Sequence, residues 1–312
     1  MKLGLDISGG DFAPRANVLG AILALDQLPD DVELVLIGRE EDIASILKEK
    51  EIVSDRISVV NAPDIITMED HPTRAIPQKP NSSISIGFEL LAQKKIDSFA
   101  STGNTGAMLV GSIYKVNSIP GVIRPCITSV LPIVGGGHSI ILDVGANADC
   151  KPDVLYQFAS LGSLYAKSVM NIESPRIGLL NIGEEEGKGN LLTQSAYKLM
   201  KESDNFNFIG NIEGRDLFTG KADVVVCDGF TGNVVLKQAE GMYSIIKKLG
   251  IEDSYIERFN YENYGGTPIL GVNSDVIIGH GISNDVAVKG MMCLAYDVAS
   301  SELTKKIKEA FK

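Results

Sequence analysis

Four loops in this chain combine the residue types that bind small anions. Each follows a short apolar run and opens a segment with helical periodicity, and three contain an Asn framed by Gly or Thr; they are residues 101–107, 143–147, 181–190 and 228–233. Glycine lets backbone N–H groups turn toward a ligand, and the start of a helix adds partial positive charge. The pattern predicts an enzyme that handles a small anion, most simply phosphate.

Lys188 is the candidate cation of these loops. It follows three glutamates and stands between Gly187 and Gly189. A P-loop needs four residues between its glycines and Ser or Thr after the lysine, and this segment has neither. We therefore reject a P-loop and expect Lys188 to be held near a bound anion. A solvated surface loop is the alternative.

The elements that must position these loops alternate between strands and helices. Such alternation predicts an α/β fold with a mostly parallel sheet and helices on both faces, a three-layer α/β/α sandwich. In such sheets ligands bind beyond the carboxyl ends of the strands, where all four loops lie. The alternation breaks once, because residues 126–134 and 138–143 predict two strands of a β-hairpin joined by three glycines.

No internal repeat or linker marks a domain boundary, so we predict a single catalytic domain over residues 1–312. The longest stretch without a pattern is residues 61–82, which contains four prolines. Within it, residues 67–78 are either a mobile lid or an ordinary surface connection.

Composition and charge exclude several classes of protein. The formal net charge of −11 argues against nucleic acid as a partner, because phosphate backbones require a basic face. The first residues show neither a signal peptide nor an anchor, and no apolar run is long enough to cross a bilayer. Four cysteines stand singly, which is typical of reduced thiols and not of a metal site.

The sequence predicts neither an organic cofactor nor a metal. His280 lies between two glycines after an apolar run, but Asn284 replaces the last glycine of a dinucleotide fingerprint. We treat His280 as a candidate catalytic residue because it follows a strand end. No nucleophile elbow is present, and no Cys lies in a catalytic setting, so direct attack by the substrate is favoured over a covalent enzyme intermediate.

Taken together, these motifs resemble the PlsX family of phosphate acyltransferases across nearly the whole chain. The resemblance depends on nine segments in the same order: Asp6 with Gly9, Gly10, Asp11, Ala13 and Pro14, then residues 103–107, Arg124 and Pro125, 143–147, 178–190, 210–216, 228–237, 264–266 and 279–281. It implies an α/β/α fold like that of isocitrate and isopropylmalate dehydrogenases, shared with phosphotransacetylases. It also implies a homodimer, with the central part of the chain as the dimer subdomain.

The activity implied by the resemblance is the transfer of a long-chain acyl group from acyl-ACP to inorganic phosphate, for phospholipid synthesis. Such an enzyme is cytoplasmic. Residues 243–261 carry apolar and basic side chains, which are compatible with a weak peripheral contact at the inner face of the membrane, a membrane acyltransferase partner, a patch for acidic ACP, or ordinary helix packing.

The motifs assign roles to ten residues. We expect Lys188 and Asn233 to hold phosphate or the developing oxyanion, and His280 to protonate the leaving thiolate. The residues expected to bind phosphate or substrate are Asp11, Gly103, Asn104, Thr105, Arg124, Asn147 and Gly232. Two alternatives stay open: a phosphotransacetylase-like enzyme that uses short acyl-CoA, and a non-catalytic scaffold that binds acyl-ACP.

Overall fold

A computed structural model describes residues 1–312, the side chain of Tyr261 excepted. The chain divides into two compact units. The first comprises Met1–Ser118 and Tyr261–Ser300, and the second comprises Ile119–Asn260 and Ser301–Lys312. Because the chain passes between the units three times, no single linker separates them, which explains why the sequence shows no boundary. That the units act as one catalytic domain stays a prediction.

Strands and helices alternate through most of the chain. The strands are β1 Lys2–Asp6, β2 Glu33–Gly38, β3 Ile57–Asn61, β4 Ser98–Ser101, β5 Cys126–Pro132, β6 His138–Leu142, β7 Arg176–Leu180, β8 Asn207–Ile212, β9 Val224–Val226, β10 Gly266–Leu270 and β11 Asp275–Gly279. The helices are α1 Arg15–Leu25, α2 Glu40–Glu49, α3 Pro72–Gln78, α4 Ser83–Ala92, α5 Thr105–Gly111, α6 Pro152–Ser168, α7 Leu191–Lys201, α8 Gly229–Lys248, α9 Ser254–Glu257, α10 Asp285–Ser300 and α11 Leu303–Ala310.

The strands of the first unit lie in the order β3-β2-β1-β4-β11-β10, and all neighbours are parallel except β10 and β11. The side chains of β1 and β2 are almost entirely buried. Such apolar runs are typical of parallel strands covered by helices on both faces. On this sheet β1, β4 and β11 are adjacent, so the loops that follow them start side by side at its carboxyl edge.

The second unit repeats this arrangement with the strand order β5-β6-β9-β7-β8. Strands β6, β9, β7 and β8 are parallel, and β5 pairs antiparallel with β6. The predicted hairpin and the mostly parallel α/β sheet with flanking helices are thus confirmed. In register, Leu142, Val226 and Leu179 lie level on neighbouring strands, so the loops after β6, β9 and β7 start together.

Several elements differ from the sequence-based expectation. Residues 61–82, which show no pattern in the sequence, contain α3, and Pro72 occupies its first turn. Strand β10 was not recognised from the sequence. The C-terminal region forms two helices, α10 and α11, because Glu302 adopts a left-handed conformation between them. Helix α8 begins at Gly229, because the Asp228 side chain accepts from the N–H of Thr231 and caps the helix there.

No helix in the described part of the chain is long and apolar enough to cross a membrane. All four cysteines are free thiols, as expected. Cys126 and Cys227 are buried, and Cys150 and Cys293 are partly exposed.

Candidate active site

Three loops of the first unit meet closely and form what we call the first loop cluster, residues 7–11, 102–105 and 280–283. A Cβ atom on Gly9 would clash with the backbone of Gly103, so glycine alone permits this approach. Thr102 Oγ1 donates to Gly9 O at 2.9 Å, and the N–H of Asp11 donates to Gly281 O at 2.7 Å. The fold therefore brings Asp11, Gly103 and the His280 loop together.

A buried polar network beneath this cluster holds the loops in place. Asp6 is fully buried and accepts from Ser101 Oγ at 2.6 Å and from the N–H of Ser8 at 2.9 Å. The Asn17 amide donates to the carbonyl oxygens of residues 6, 7 and 9. Burial raises the pKa of Asp6, and its hydrogen-bond donors act in the opposite direction. Sequence reasoning missed Ser101 and Asn17 as supports, because neither residue stands out in a motif.

Asn104 has its side chain committed to the fold. Its Oδ1 accepts from the N–H of Ala107 and caps α5, while Nδ2 donates to Thr67 O at 3.0 Å and to Asp70 O at 3.1 Å. The residue is 5% exposed. The expectation that this side chain donates directly to a ligand is therefore corrected. Asn104 fixes the start of α5 and ties the residue 67–70 segment to it.

The backbone N–H groups of residues 103 and 105 differ in whether they already have an acceptor. The N–H of Gly103 already donates to Ser101 Oγ at 2.9 Å, so it is not available to a ligand, contrary to the expectation. Thr105 is exposed in the first turn of α5, where backbone N–H groups lack an acceptor within the helix. Asp11 is also exposed, and His280 is half-buried with its Nδ1 3.5 Å from the N–H of Ile282.

The second unit carries the second loop cluster, residues 143–147, 181–190 and 228–233. Asp143 is fully buried at its base. Its Oδ1 accepts from the N–H of Ile127 at 2.9 Å, and its Oδ2 accepts from the backbone N and the Nδ2 of Asn147 at 2.6 and 2.9 Å. Burial raises the pKa of Asp143, whereas these donors oppose the rise. The carboxylate thus organises its loop from within.

Asn147 serves that same loop. Besides Asp143, its Nδ2 donates to Pro125 O at 2.8 Å, so both amide hydrogens are used. This corrects the expectation of a side-chain donor for the ligand. Arg124 precedes Pro125 and is exposed; its Nη1 donates to Asp149 O at 3.1 Å, which leaves its remaining N–H groups facing outward.

The first turn of α8 packs tightly on the Asp143 loop. A Cβ on Gly232 would clash with the carbonyl oxygen of Asp143, and the N–H of Gly232 donates to Asp228 O at 3.0 Å. Gly232 therefore permits a close approach and does not supply the predicted N–H donor. Asn233 is exposed on the next position, and its side chain lies beside Gly145. The structure thus brings Asn233 and the Asp143 loop together.

In the Lys188 loop, two of the three glutamates pair with lysines from outside the loop, and Lys188 does not. Glu184 pairs with Lys221 and Glu186 pairs with Lys201, both at 2.6 Å. Lys188 is exposed, and its ammonium has no acidic partner among the residues that the structure describes. The backbone is fixed from both sides, because the N–H of Lys188 donates to Glu185 O and its carbonyl accepts from Asn181 Nδ2.

These positions define what the second cluster can do. Strand β9 lies between β6 and β7, at about 4.8 Å spacing, so the Lys188 and Asn233 loops leave neighbouring strands at one edge. A cation and an exposed amide at that edge can hold a phosphate group or stabilise an oxyanion. Glu184, Glu213 and Asp216 also approach one another, but Lys221 already pairs with two of them, so they need no metal ion.

Comparison with known proteins gives one consistent result. A family model described as fatty acid synthesis protein matches residues 1–306. The chain is 43% identical to a phosphate acyltransferase from Dictyoglomus thermophilum, over 99% of this chain and 97% of the relative. It is 41% identical to a phosphate acyltransferase from Halothermothrix orenii, over 99% of this chain and 98% of the relative.

Among solved structures, the chain resembles a phosphotransacetylase from Streptococcus pyogenes, with a TM-score of 0.67, 15% identity and coverage of 96% and 94%. It also resembles a 4-hydroxythreonine-4-phosphate dehydrogenase from Salmonella typhimurium, described as putative in its name, with a TM-score of 0.58, 13% identity and coverage of 95% and 99%. At these identities the likeness shows the α/β/α fold alone. The sequence relationship reaches further: the chain belongs to the PlsX family of phosphate acyltransferases, as its motifs predict.

Proposed function

We propose that this chain transfers a long-chain acyl group from acyl-ACP to inorganic phosphate, producing acyl phosphate and free ACP for phospholipid synthesis. The observation that carries the proposal is the ammonium of Lys188, which has no acidic partner among the described residues, on a loop whose strand β7 is adjacent to β9, the strand that precedes the exposed Asn233. Glu184 and Glu186 each pair with a lysine from outside the loop, and Glu185 forms no ion pair with Lys188. The site is therefore suited to a small anion.

The chemistry needs positioning and charge more than covalent participation. An oxygen of phosphate attacks the thioester carbon, and the electron pair of the carbonyl bond moves to its oxygen. The tetrahedral intermediate then collapses, the carbon–sulfur bond breaks, and the ACP thiolate leaves with that electron pair. Lys188 and Asn233 would orient the phosphate and stabilise the oxyanion. The role of His280 as the acid that protonates the thiolate stays a prediction, as do the ligand contacts of Asp11, Thr105 and Arg124.

The structural environment offers no nucleophilic cysteine for a covalent route. Two thiols lie against the second loop cluster: Cys150 Sγ is 3.6 Å from Asn147 O and Cys227 Sγ is 3.6 Å from Asp143 O. Cys227 is buried, and its burial raises the pKa of its thiol well above the ordinary value. Burial, assisted by the charges of Asp143 and Asp228, raises the pKa of Cys150 to about 11. A thiol with so high a pKa is a poor nucleophile at neutral pH, which supports direct attack by phosphate.

Purified protein mixed with palmitoyl-ACP, with and without inorganic phosphate, tests the proposal. We expect phosphate-dependent release of ACP thiol together with an equal amount of acyl phosphate. Turnover of short acyl-CoA but not of palmitoyl-ACP would replace the proposal by a phosphotransacetylase-like activity. If neither donor loses its thioester, a non-catalytic scaffold that binds acyl-ACP would be favoured. The proposed enzyme works in the cytoplasm as a homodimer, and ACP or the membrane surface is the partner we assign to residues 243–261.

A further inference from the structure

A cavity of about 480 Å³ lies within the second unit, along one stripe of α8. Its helical wall includes Val234, Ala239, Met242 and Ile246, and Phe218 and Phe259 line it from other segments. Positions 234, 242 and 246 are separated by multiples of four residues, so they lie on one side of the helix. The volume falls within the range of about 300–1,000 Å³ that is usual for small-molecule sites.

The lining is mostly apolar, with Gln238 as a polar member. Two tyrosines border the cavity, but the Tyr255 hydroxyl donates to Pro132 O at 3.2 Å and the Tyr243 hydroxyl donates to Glu257 at 3.3 Å. A ligand there would be recognised through apolar contact. Val234 and Met242 remain 51% and 47% exposed, so such a ligand would still remove apolar surface from water.

The lining of the cavity begins on α8 one residue beyond the second loop cluster. Val234, at one end of the stripe, follows Asn233 directly, and Ile246 lies twelve residues further along α8, or about 18 Å at 1.5 Å per residue. That length is comparable to a long fatty acyl chain. A thioester placed at Asn233 would therefore have its hydrocarbon tail in position to enter.

We propose that this cavity binds the acyl chain of the thioester donor and sets the preference for chain length. The inference rests on the proposed function and adds a binding site to it. Burial of each methylene strengthens binding about fourfold, so a chain that fills the stripe gains affinity with every added carbon until the cavity ends. A second copy of this chain, packed on the same stripe of α8, is the competing occupant.

Binding measured without turnover tests the site directly. The probe is cis-parinaric acid, a fluorescent fatty acid, titrated into wild type, Ala239→Phe and Met242→Glu. The first substitution fills the cavity, and the second places a carboxylate in it at a half-exposed position that tolerates charge. We expect at least tenfold weaker binding in both. The matched control is Ser244→Phe, which adds the same ring on the same helix outside the cavity, and we expect its affinity to match wild type.

Chain-length profiles give the second readout. With palmitoyl-ACP and butyryl-ACP as donors, Ala239→Phe should lower kcat/KM at least tenfold for palmitoyl and less than threefold for butyryl. An equal loss for both donors, or unchanged fatty-acid affinity in both cavity variants, would overturn the inference. Unchanged affinity with a shift in sedimentation coefficient would assign the stripe to a second copy. If wild type binds the probe but transfers no acyl group to phosphate, the proposed function fails while the site stands.

Discussion

Lys188 shows how one loop can be acidic in composition and still present a cation. Two of the three preceding glutamates are held by lysines from outside the loop, Lys201 and Lys221. Exposed ion pairs of this kind contribute little to stability. Their consequence is electrostatic, because they leave the ammonium of Lys188 without a competing acidic partner in the described part of the chain.

We expect Lys188→Ala to lower turnover at least tenfold, since it removes the charge that would hold phosphate or the oxyanion. The midpoint of thermal unfolding should stay close to wild type, because the side chain is exposed. Lys198→Ala, an exposed lysine on α7, serves as the control and should keep full activity. Kinetics with palmitoyl-ACP would decide the matter, and near-normal activity of Lys188→Ala would remove that residue from the mechanism.

The two asparagines of similar motifs have opposite environments. Asn104 is buried and caps α5, whereas Asn233 is exposed beside Gly145. Asn104→Ala should lower the free energy of unfolding by about 0.5–2 kcal/mol through loss of the cap. Asn233→Ala should change stability by less than about 0.5 kcal/mol, as surface substitutions do, and lower turnover at least tenfold. Urea denaturation and kinetics on both variants separate the roles; the reverse pattern would contradict the assignment.

Cys150 gives a pH-dependent prediction. Because burial raises the pKa of its thiol to about 11 from an ordinary 9.0, less thiolate is present at a given pH. At pH 8 we expect iodoacetamide to modify Cys150 about 100-fold more slowly than a free thiol, with a rate that rises through pH 9–11. Peptide mapping by mass spectrometry follows the site. Cys150→Ala should keep full activity, and a large loss would favour a covalent intermediate.

At the scale of elements, the start of α8 and the Asp143 loop form a single packed unit. The Asp143 carboxylate binds its own loop, Gly229 donates its N–H to Asn147 O at 2.8 Å, and Gly232 touches the Asp143 carbonyl. This packing fixes where Asn233 emerges. The position of the candidate catalytic amide therefore depends on residues that never need to touch a substrate.

Gly232→Ala should destabilise the protein, because the added Cβ would clash with backbone that cannot rotate away. We expect a loss of about 1–3 kcal/mol or more, the usual range for overpacking, together with reduced activity. Gly241→Ala is the matched control in the same helix, where a Cβ would meet nothing within 4 Å. It should leave stability unchanged or raise it by about 0.4–1 kcal/mol. Equal behaviour of the two variants in thermal unfolding would refute the packing argument.

For the molecule as a whole, binding of phosphate should raise the free energy of unfolding. A ligand that binds only the folded state stabilises it by about 2.7 kcal/mol at one hundred times its Kd. We therefore expect inorganic phosphate to raise the midpoint of thermal unfolding of wild type by several degrees and that of Lys188→Ala by much less. Sodium chloride at equal ionic strength is the control. An equal rise with chloride would show a general salt effect on this acidic protein and no specific phosphate site.

The sequence by itself determined the fold class, the hairpin and the family. Periodicity and turn residues are local signals, so the alternation of strands and helices and the hairpin strands near residues 126–134 and 138–143 could be recognised from them. The order of glycine- and asparagine-containing motifs identified the family, because these motifs mark where strands end. That Lys188 holds an anion stays a prediction. The lysine partners of its neighbouring glutamates lie up to 37 residues away in sequence, and no local pattern indicates them.

Tertiary structure alone decided which of the motif residues face outward. Asn104 and Asn147 look like ligand donors in sequence, yet the Asn104 amide donates to carbonyl oxygens of residues 67–70, and the Asn147 amide donates to Pro125 O and to the Asp143 carboxylate. Gly103 and Gly232 permit close backbone approach, and their N–H groups are already used. The division into two units and the cavity beside α8 could not be predicted from the sequence either. All of these depend on contacts between segments far apart in the chain, and hydrophobic periodicity carries no information about such pairings.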